Sequence, residues 1–579
     1  MADIEAAGRV VGVTTTAAER EQMVGAVTAL RQAAWARRRA FRPPNDLSPA
    51  TTFDPRLPGF IMPGAVEQAH DATGQPGPAT PAVDIEALSE EDLAYSPITV
   101  LARLIAGGQL TSRRLTEIYL DRIARLSPDL HCLVTVTDDL ARRQADEADQ
   151  LTAEGITRGP LHGIPYVVKD LFDTAGITTG WGAEPYRGRV PDSDAHVVER
   201  LREAGAVLLG KASLGALAYG DLWYGGMTRN PWNLNEGSSG SSAGSASAVA
   251  AGLCAFGIGT ETLGSIVSPS DRCGTTGLRP TFGRVSRHGA MALCWTMDKV
   301  GPICRTVGDT GLVLEAINGH DPRDRSSIDA PFSAPRAAES SGSGPADITI
   351  GIIAGTFDQP TDNQPTDDQP TDDQPAEADD AAEEHASEVD VQALAAIRRL
   401  GYQVREVTLP DLPYDSLYAL LLAEAAAAFE ELTLSGADDQ LAWQTDTGWP
   451  NQFRAARHLS AVDHVQLDRL RHAVMQALDE LFSQVDIVIG PLAVGPMLTA
   501  TNMTGHPCLH LRAGFRDQAT RAPYHVDETW EDPAAGQLFT VPSGISLWAG
   551  LFDEARLLRV GQSLEAELTV WDRRPGHLA

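Results

Sequence analysis

Lysine is nearly missing from this chain. Of its 579 residues only Lys169, Lys211 and Lys299 are lysines, against 43 arginines. A guanidinium stays protonated in any protein setting, whereas a buried amine can lose its proton. A lysine that survives such a bias therefore marks a position where guanidinium does not serve. Cysteine is scarce as well. The six residues (Cys132, Cys254, Cys273, Cys294, Cys304, Cys508) form no C-x-x-C pair and no zinc spacing, so they read as small buried hydrophobes in a reducing compartment. No stretch is apolar enough to span a bilayer; the best candidate, 243–259, is mostly Ala, Gly and Ser. Residues 1–15 lack the basic start and apolar core of a signal peptide. These absences lead to the expectation of a soluble, cytoplasmic protein with no membrane partner. Positive charge is short too. The formal net charge is −32, and 358–390 holds 13 acidic residues with no Lys or Arg. Phosphate binding depends on clustered Lys and Arg, so direct nucleic-acid binding is excluded.

What is present is a long globular chain with 43% hydrophobic residues, ample for a large core. Residues 1–93 read as an N-terminal arm. A helix is expected over 17–41, and the prolines that follow (Pro43, Pro44, Pro55, Pro58, Pro63, Pro76, Pro78, Pro81) are too frequent for regular structure. From 94 to 579 the pattern is that of one large α/β domain. Helices are expected over 99–106 and 111–126, with Ser112 near the second start as an N-cap. Strands are expected over 131–137, 164–168 and 206–209, then a buried small-residue helix over 248–255. An acidic, low-complexity insert interrupts at about 335–390, where Gln-Pro-Thr-Asp repeats begin at Gln359, Gln364 and Gln369. Such a segment cannot bury apolar surface and reads as a solvated loop. Helices over 391–400, 417–434, 467–482 and 553–568 and strands over 404–407 and 485–489 complete the pattern.

The chemistry concentrates in 237–265, which runs G-S-S-G-S-S-A-G-S-A-S-A-V-A-A-G and then C-A-F-G-I-G-T-E-T-L-G-S. A flexible linker does not lead straight into an apolar small-residue helix. Small residues at this density instead let backbone pass close to a ligand, and their hydroxyls can act as nucleophile or proton carrier. The one G-x-S-x-G match, 240–244, lies inside this small-residue loop and no His stands in a suggestive context, which leaves a lysine neutralised by burial as the base. Lys169, at the end of the apolar run G-I-P-Y-V-V-K-D (163–170), fits that role. Residues 205–212 approach the P-loop pattern but carry Ala212 where Mg²⁺ needs Ser or Thr, so they read as a strand around Lys211. His506, in T-G-H-P, reads as a structural histidine before a site-lining one.

In order and spacing, G-I-P-Y-V-V-K-D, N-P-W-N (230–233), G-S-S-A-G-S-A-S-A-V-A-A-G (240–252), G-T-E-T-L-G-S-I (259–266), C-G-T-T-G-L-R-P (273–280) and M-D-K-V-G-P-I-C-R-T-V-G-D (297–309) resemble the amidase signature family. T-A-T-N-M-T-G-H-P (499–507) and F-D-E-A-R-L-L (552–558) resemble its late motifs. The resemblance implies an α/β fold with a large mixed, mostly parallel central sheet flanked by helices on both faces. It implies a Ser–Ser–Lys triad, with Ser265 as nucleophile and Lys169 as base. The bridging serine, reached through a non-proline cis peptide, is assigned to Ser241, 24 residues before Ser265, with Ser242 beside it in support. Ser238 stays open as the alternative, because 237–240 also reads G-S-S-G. The backbone N–H groups of Thr262, Leu263, Gly264 and Ser265 are the implied oxyanion hole, where each donor contributes about 3 kcal/mol to the transition state. Leu263 stands where many members have Gly, which narrows the pocket and leaves the N–H in place.

The implied activity is that of a stand-alone amidase cleaving a small carboxamide or anilide through an acyl-enzyme, with neither metal nor cofactor. The implied partner is the small amide itself, and a homo-oligomer is left open. Two other readings are carried along: the glutaminase (A) component of a tRNA-dependent amidotransferase, and an inactive scaffold or binding protein.

Overall fold

The computed structural model describes residues 2–63, 88–335, 344–357, 386–526 and 529–576. The Gln-Pro-Thr-Asp repeats and most of the acidic insert lie outside the described residues, as do Pro76, Pro78 and Pro81.

The strands pair into one sheet because several are apolar along their whole length. Such runs, buried throughout, need cover on both faces. In chain order they are β1 (Leu133–Val136), β2 (Pro165–Lys169), β3 (Val207–Ala212), β4 (Phe256–Glu261), β5 (Thr276–Arg279), β6 (Lys299–Cys304), β7 (Thr349–Ile353), β8 (Gln403–Val407), β9 (Ile487–Gly490), β10 (Cys508–Gln518) and β11 (Phe539–Ala549). Their order across the sheet is β1-β3-β2-β4-β6-β5-β10-β11-β9-β7-β8. Every residue of β2, β3, β4 and β6 is buried. Parallel pairing is confined to two blocks, β3-β2-β4 and β9-β7-β8, and antiparallel pairing joins the rest. The expected α/β architecture, a large mixed sheet flanked by helices, is the one observed.

The helix expected over 248–255 begins earlier and spans Ala243–Ala250. Its Gly-Ser-Ala start has weak helix propensity, but every residue is buried, and Ser245 Oγ donates to the Ile258 carbonyl of β4 at 3.0 Å. Tertiary packing overrides propensity here. The region 417–434 likewise divides into Tyr418–Ala428 and Glu430–Ser435.

Helices Ala2–Val10 and Ala17–Ala40 open the arm, and neither carries a buried residue. The Arg37 guanidinium pairs with the Glu430 carboxylate, and Arg42 reaches Glu431 at 3.0 Å. Irregular chain then runs over the body. The Phe53 ring stands edge-on to Phe282, 5.3 Å between centroids, with the Arg471 guanidinium 3.6 Å from its centre.

Candidate active site

Strand β2 delivers Lys169 into the protein at its C-terminal end, and the side chain is wholly buried. Its Nζ stands 2.7 Å from Ser241 Oγ, 3.0 Å from Ser242 Oγ and 3.0 Å from Thr260 Oγ1. Among the described residues no carboxylate touches it. Burial therefore holds the amine well below the usual lysine value, and the more distant charges of Asp298 and Glu261 only partly oppose this.

The serine loop lies between Gly237, at the end of a short strand, and helix Ala243–Ala250. The peptide bond between Gly240 and Ser241 is cis. A side chain at position 240 would come within 1.9 Å of the Gly220 carbonyl, so only glycine lets the loop pass. Ser242 Oγ accepts from the Thr260 N–H at 3.2 Å and donates to the Thr260 carbonyl at 3.1 Å, which fixes the loop to β4. Ser238 Oγ instead donates to the Ser239 carbonyl at 2.9 Å and makes no contact with Lys169.

After β4 the chain turns through Thr262, Leu263, Gly264 and Ser265 into helix Val267–Cys273. Gly264 takes φ +82°, in the left-handed region that favours glycine. Ser265 is nearly buried, and its carbonyl accepts from the Ser242 N–H at 3.1 Å, tying this turn to the serine loop. Among the described residues the N–H groups of 262–265 have no hydrogen-bond acceptor, whereas those of Ile266 and Val267 both donate to Glu261, at 2.9 and 3.0 Å. The other Glu261 oxygen accepts from Arg279 at 2.7 Å. Burial alone would raise the Glu261 carboxyl, but Arg279, Lys299 and these donors hold it below its usual value. On the far side, Thr262 Oγ1 donates to Asp298 at 2.6 Å. The turn is thus clamped by two buried carboxylates while its own N–H groups stay open.

A cavity of about 230 Å³ abuts this turn. Its lining includes Leu171, Ala218, Thr260, Thr262 and Val300, together with the charged side chains of Arg287, Asp298 and Asp324.

The amidase family model matches residues 114–558, which is most of the chain. The chain belongs to the amidase family. Among curated amidase relatives, it is 31% identical over 528 residues to the A subunit of the glutamyl-tRNA(Gln) amidotransferase of Synechococcus sp. (strain RCC307), covering 83% of this chain and 99% of that one. It is 32% identical over 495 residues to the corresponding A subunit of Anaeromyxobacter sp. (strain K), covering 80% and 94%. Among solved structures, the native peptide amidase from Stenotrophomonas maltophilia superposes with a TM-score of 0.65 at 27% identity, covering 84% of this chain and 99% of that one. The chain is thus an amide hydrolase by family.

Lys211 ends up buried in β3, donating to Thr174 Oγ1 at 3.0 Å and Thr179 Oγ1 at 2.8 Å. His506 is buried and stacked on Phe482, and burial pushes its imidazole down to about 3. Leu263 is half-buried and packs on the apolar core. All six cysteines are buried and unpaired. Among the described residues no helix is long and apolar enough to cross a membrane. Sequence reasoning missed Thr260 and Asp298 as supports of the site. The alternation of β4 could have indicated Thr260, two residues before Thr262 on the same face.

Proposed function

We propose that this chain cleaves a carboxamide C–N bond through an acyl-enzyme on Ser265, with neutral Lys169 as base and Ser241 as proton relay. The observation that carries the reading is the Lys169 amine, 2.7 Å from Ser241 Oγ in a buried shell of hydroxyls. Ser265 Oγ attacks the carbonyl carbon as its proton moves to Ser241 and the Ser241 proton moves to Lys169. The Ser265 and Ser241 hydroxyls are not hydrogen-bonded to each other in the free protein, and that contact tightens in the substrate complex. The oxyanion falls to the open N–H groups of 262–265. Collapse expels the amine, which takes the proton back through Ser241, and water then hydrolyses the ester by the same relay.

Two substrate readings each rest on an observation. The curated relatives are amidotransferase A subunits, which favours glutamine as the amide and a glutaminase role. The apolar part of the cavity lining, with Leu171, Met291, Leu293 and Val300, favours a stand-alone amidase acting on a carboxamide that carries an apolar group. An inactive scaffold is the weakest reading, because Lys169, Ser241 and Ser265 are all retained. A panel of amides including glutamine, assayed with wild type, Ser265→Ala and Lys169→Ala, tests the proposal. Activity confined to glutamine supports the glutaminase role, and activity that survives Ser265→Ala sinks the nucleophile assignment.

A further inference from the structure

The arm supplies part of the lining of the cavity beside the Thr262–Ser265 turn. Asp46 and Ser48, both in the irregular chain after helix Ala17–Ala40, line it together with the loop 287–295. The fit is specific. The Asn45 side chain reads the backbone of Ala292 in both directions: Nδ2 donates to the Ala292 carbonyl at 2.9 Å, and Oδ1 accepts the Ala292 N–H at 2.7 Å. Trp295 Nε1 donates to the Asn45 carbonyl at 3.3 Å. Further along, Arg325 donates to the Ala50 carbonyl at 3.4 Å, and Phe53 is held between Phe282 and Arg471. Arg471 in turn donates to the Thr296 carbonyl at 2.7 Å, so arm and loop share one anchor on the body.

We propose that arm residues 45–53 form a wall of the substrate pocket and set its specificity, selecting amides that carry an apolar, ring-sized group. This deepens the stand-alone reading above and rests on Ser265 as the nucleophile. An apolar cavity of about 150 Å³ accommodates benzene. A cavity of about 230 Å³, lined by Leu171, Ala218, Met291 and Val300 on its apolar part and by Arg287, Asp298 and Asp324 on its charged part, has room for one ring with a short polar linker. Without the wall the same surface opens to solvent, and an apolar group gains less by entering it. The arm thus narrows an open face of a general amidase site and limits the size of the group it admits.

The test compares kcat/KM for phenylpropionamide, benzamide, hexanamide, acetamide and glutamine between the full-length wild type, Asn45→Ala and Ser48→Phe, with thermal unfolding as the folding control. Asn45→Ala unfastens the wall, and Ser48→Phe adds a side chain to it. The expected wild-type preference for the ring-sized amides over acetamide is about tenfold or more. Asn45→Ala should shrink that ratio about fivefold, through KM rather than kcat, and Ser48→Phe should lower it about tenfold. A ratio unmoved in both folded variants, or cleavage of glutamine alone, overturns the wall proposal while leaving Ser265 in place. A wild type that cleaves no amide overturns the Ser265 reading and this one together.

Discussion

Lys169 and Lys211 lie on paired strands, with Val168 opposite Lys211 and Lys169 opposite Ala212, yet their surroundings differ in one respect. Around Lys169 there are hydroxyls and one carbonyl, and among the described residues no carboxylate within ion-pair distance. Around Lys211 there are two hydroxyls, the Phe172 carbonyl and the Asp170 carboxylate at 3.9 Å. Burial pushes both amines down, and in the second case the neighbouring acid pulls back. Burial alone does not make a lysine a base. A neutral amine is favoured further where no anion is in contact, because nothing then offsets the cost of keeping the proton. The first lysine is placed to accept a proton. The second ties the loop after β2 to β3.

Five measurements bear on that contrast. Ser265→Ala and Lys169→Ala should each lower kcat by about 10⁴-fold or more with the fold retained, as groups acting as one unit do. Lys211→Met should do the reverse. It leaves Asp170 buried without its cation, and calorimetry should record a loss of about 3–5 kcal/mol. Equal losses of activity and stability in both lysine variants would erase the distinction.

The third measurement is stability against pH. A lysine whose folded pKa lies below 10.5 leaves the unfolded chain holding the extra proton between the two values, so stability rises with pH across that window. Lys169→Met should therefore flatten the rise on the acid side of 10.5, by roughly 1.4 kcal/mol per pH unit. The same depressed value makes kcat/KM fall on acidification, as Lys169 takes up its proton. The smallest effect is expected for Thr260→Val, which removes one of the three hydroxyls around the amine. The loss of about 1 kcal/mol corresponds to roughly fivefold in kcat. No change there would mean the serines alone orient Lys169.

Much of this was legible in the sequence, for a physical reason. The apolar run into Lys169, the small-residue loop around Ser241 and the glycine before Ser265 are local demands of the chemistry, so they are written as contiguous motifs. The two G-S-S texts at 237 and 240 could not be separated by composition. What distinguishes them is which hydroxyl meets the Lys169 amine, a contact between residues 72 positions apart. The start of the helix at Ala243 was missed because packing on β4 outweighs the weak propensity of Gly and Ser. The docking of the arm was the least legible. Asn45 pairs with a backbone 247 positions away, and a backbone partner leaves no signature in its own side chain.

All three lysines are buried, so among the described residues no lysine amine reaches solvent. Lysine-directed labels and lysine-specific proteases have no lysine side chain to grip on the folded body. Cleavage after Lys169, Lys211 or Lys299 requires strands β2, β3 or β6 to open first. The chain therefore carries its own gauge of core opening, and digestion by a lysine-specific protease would follow the population of opened molecules without any engineered label.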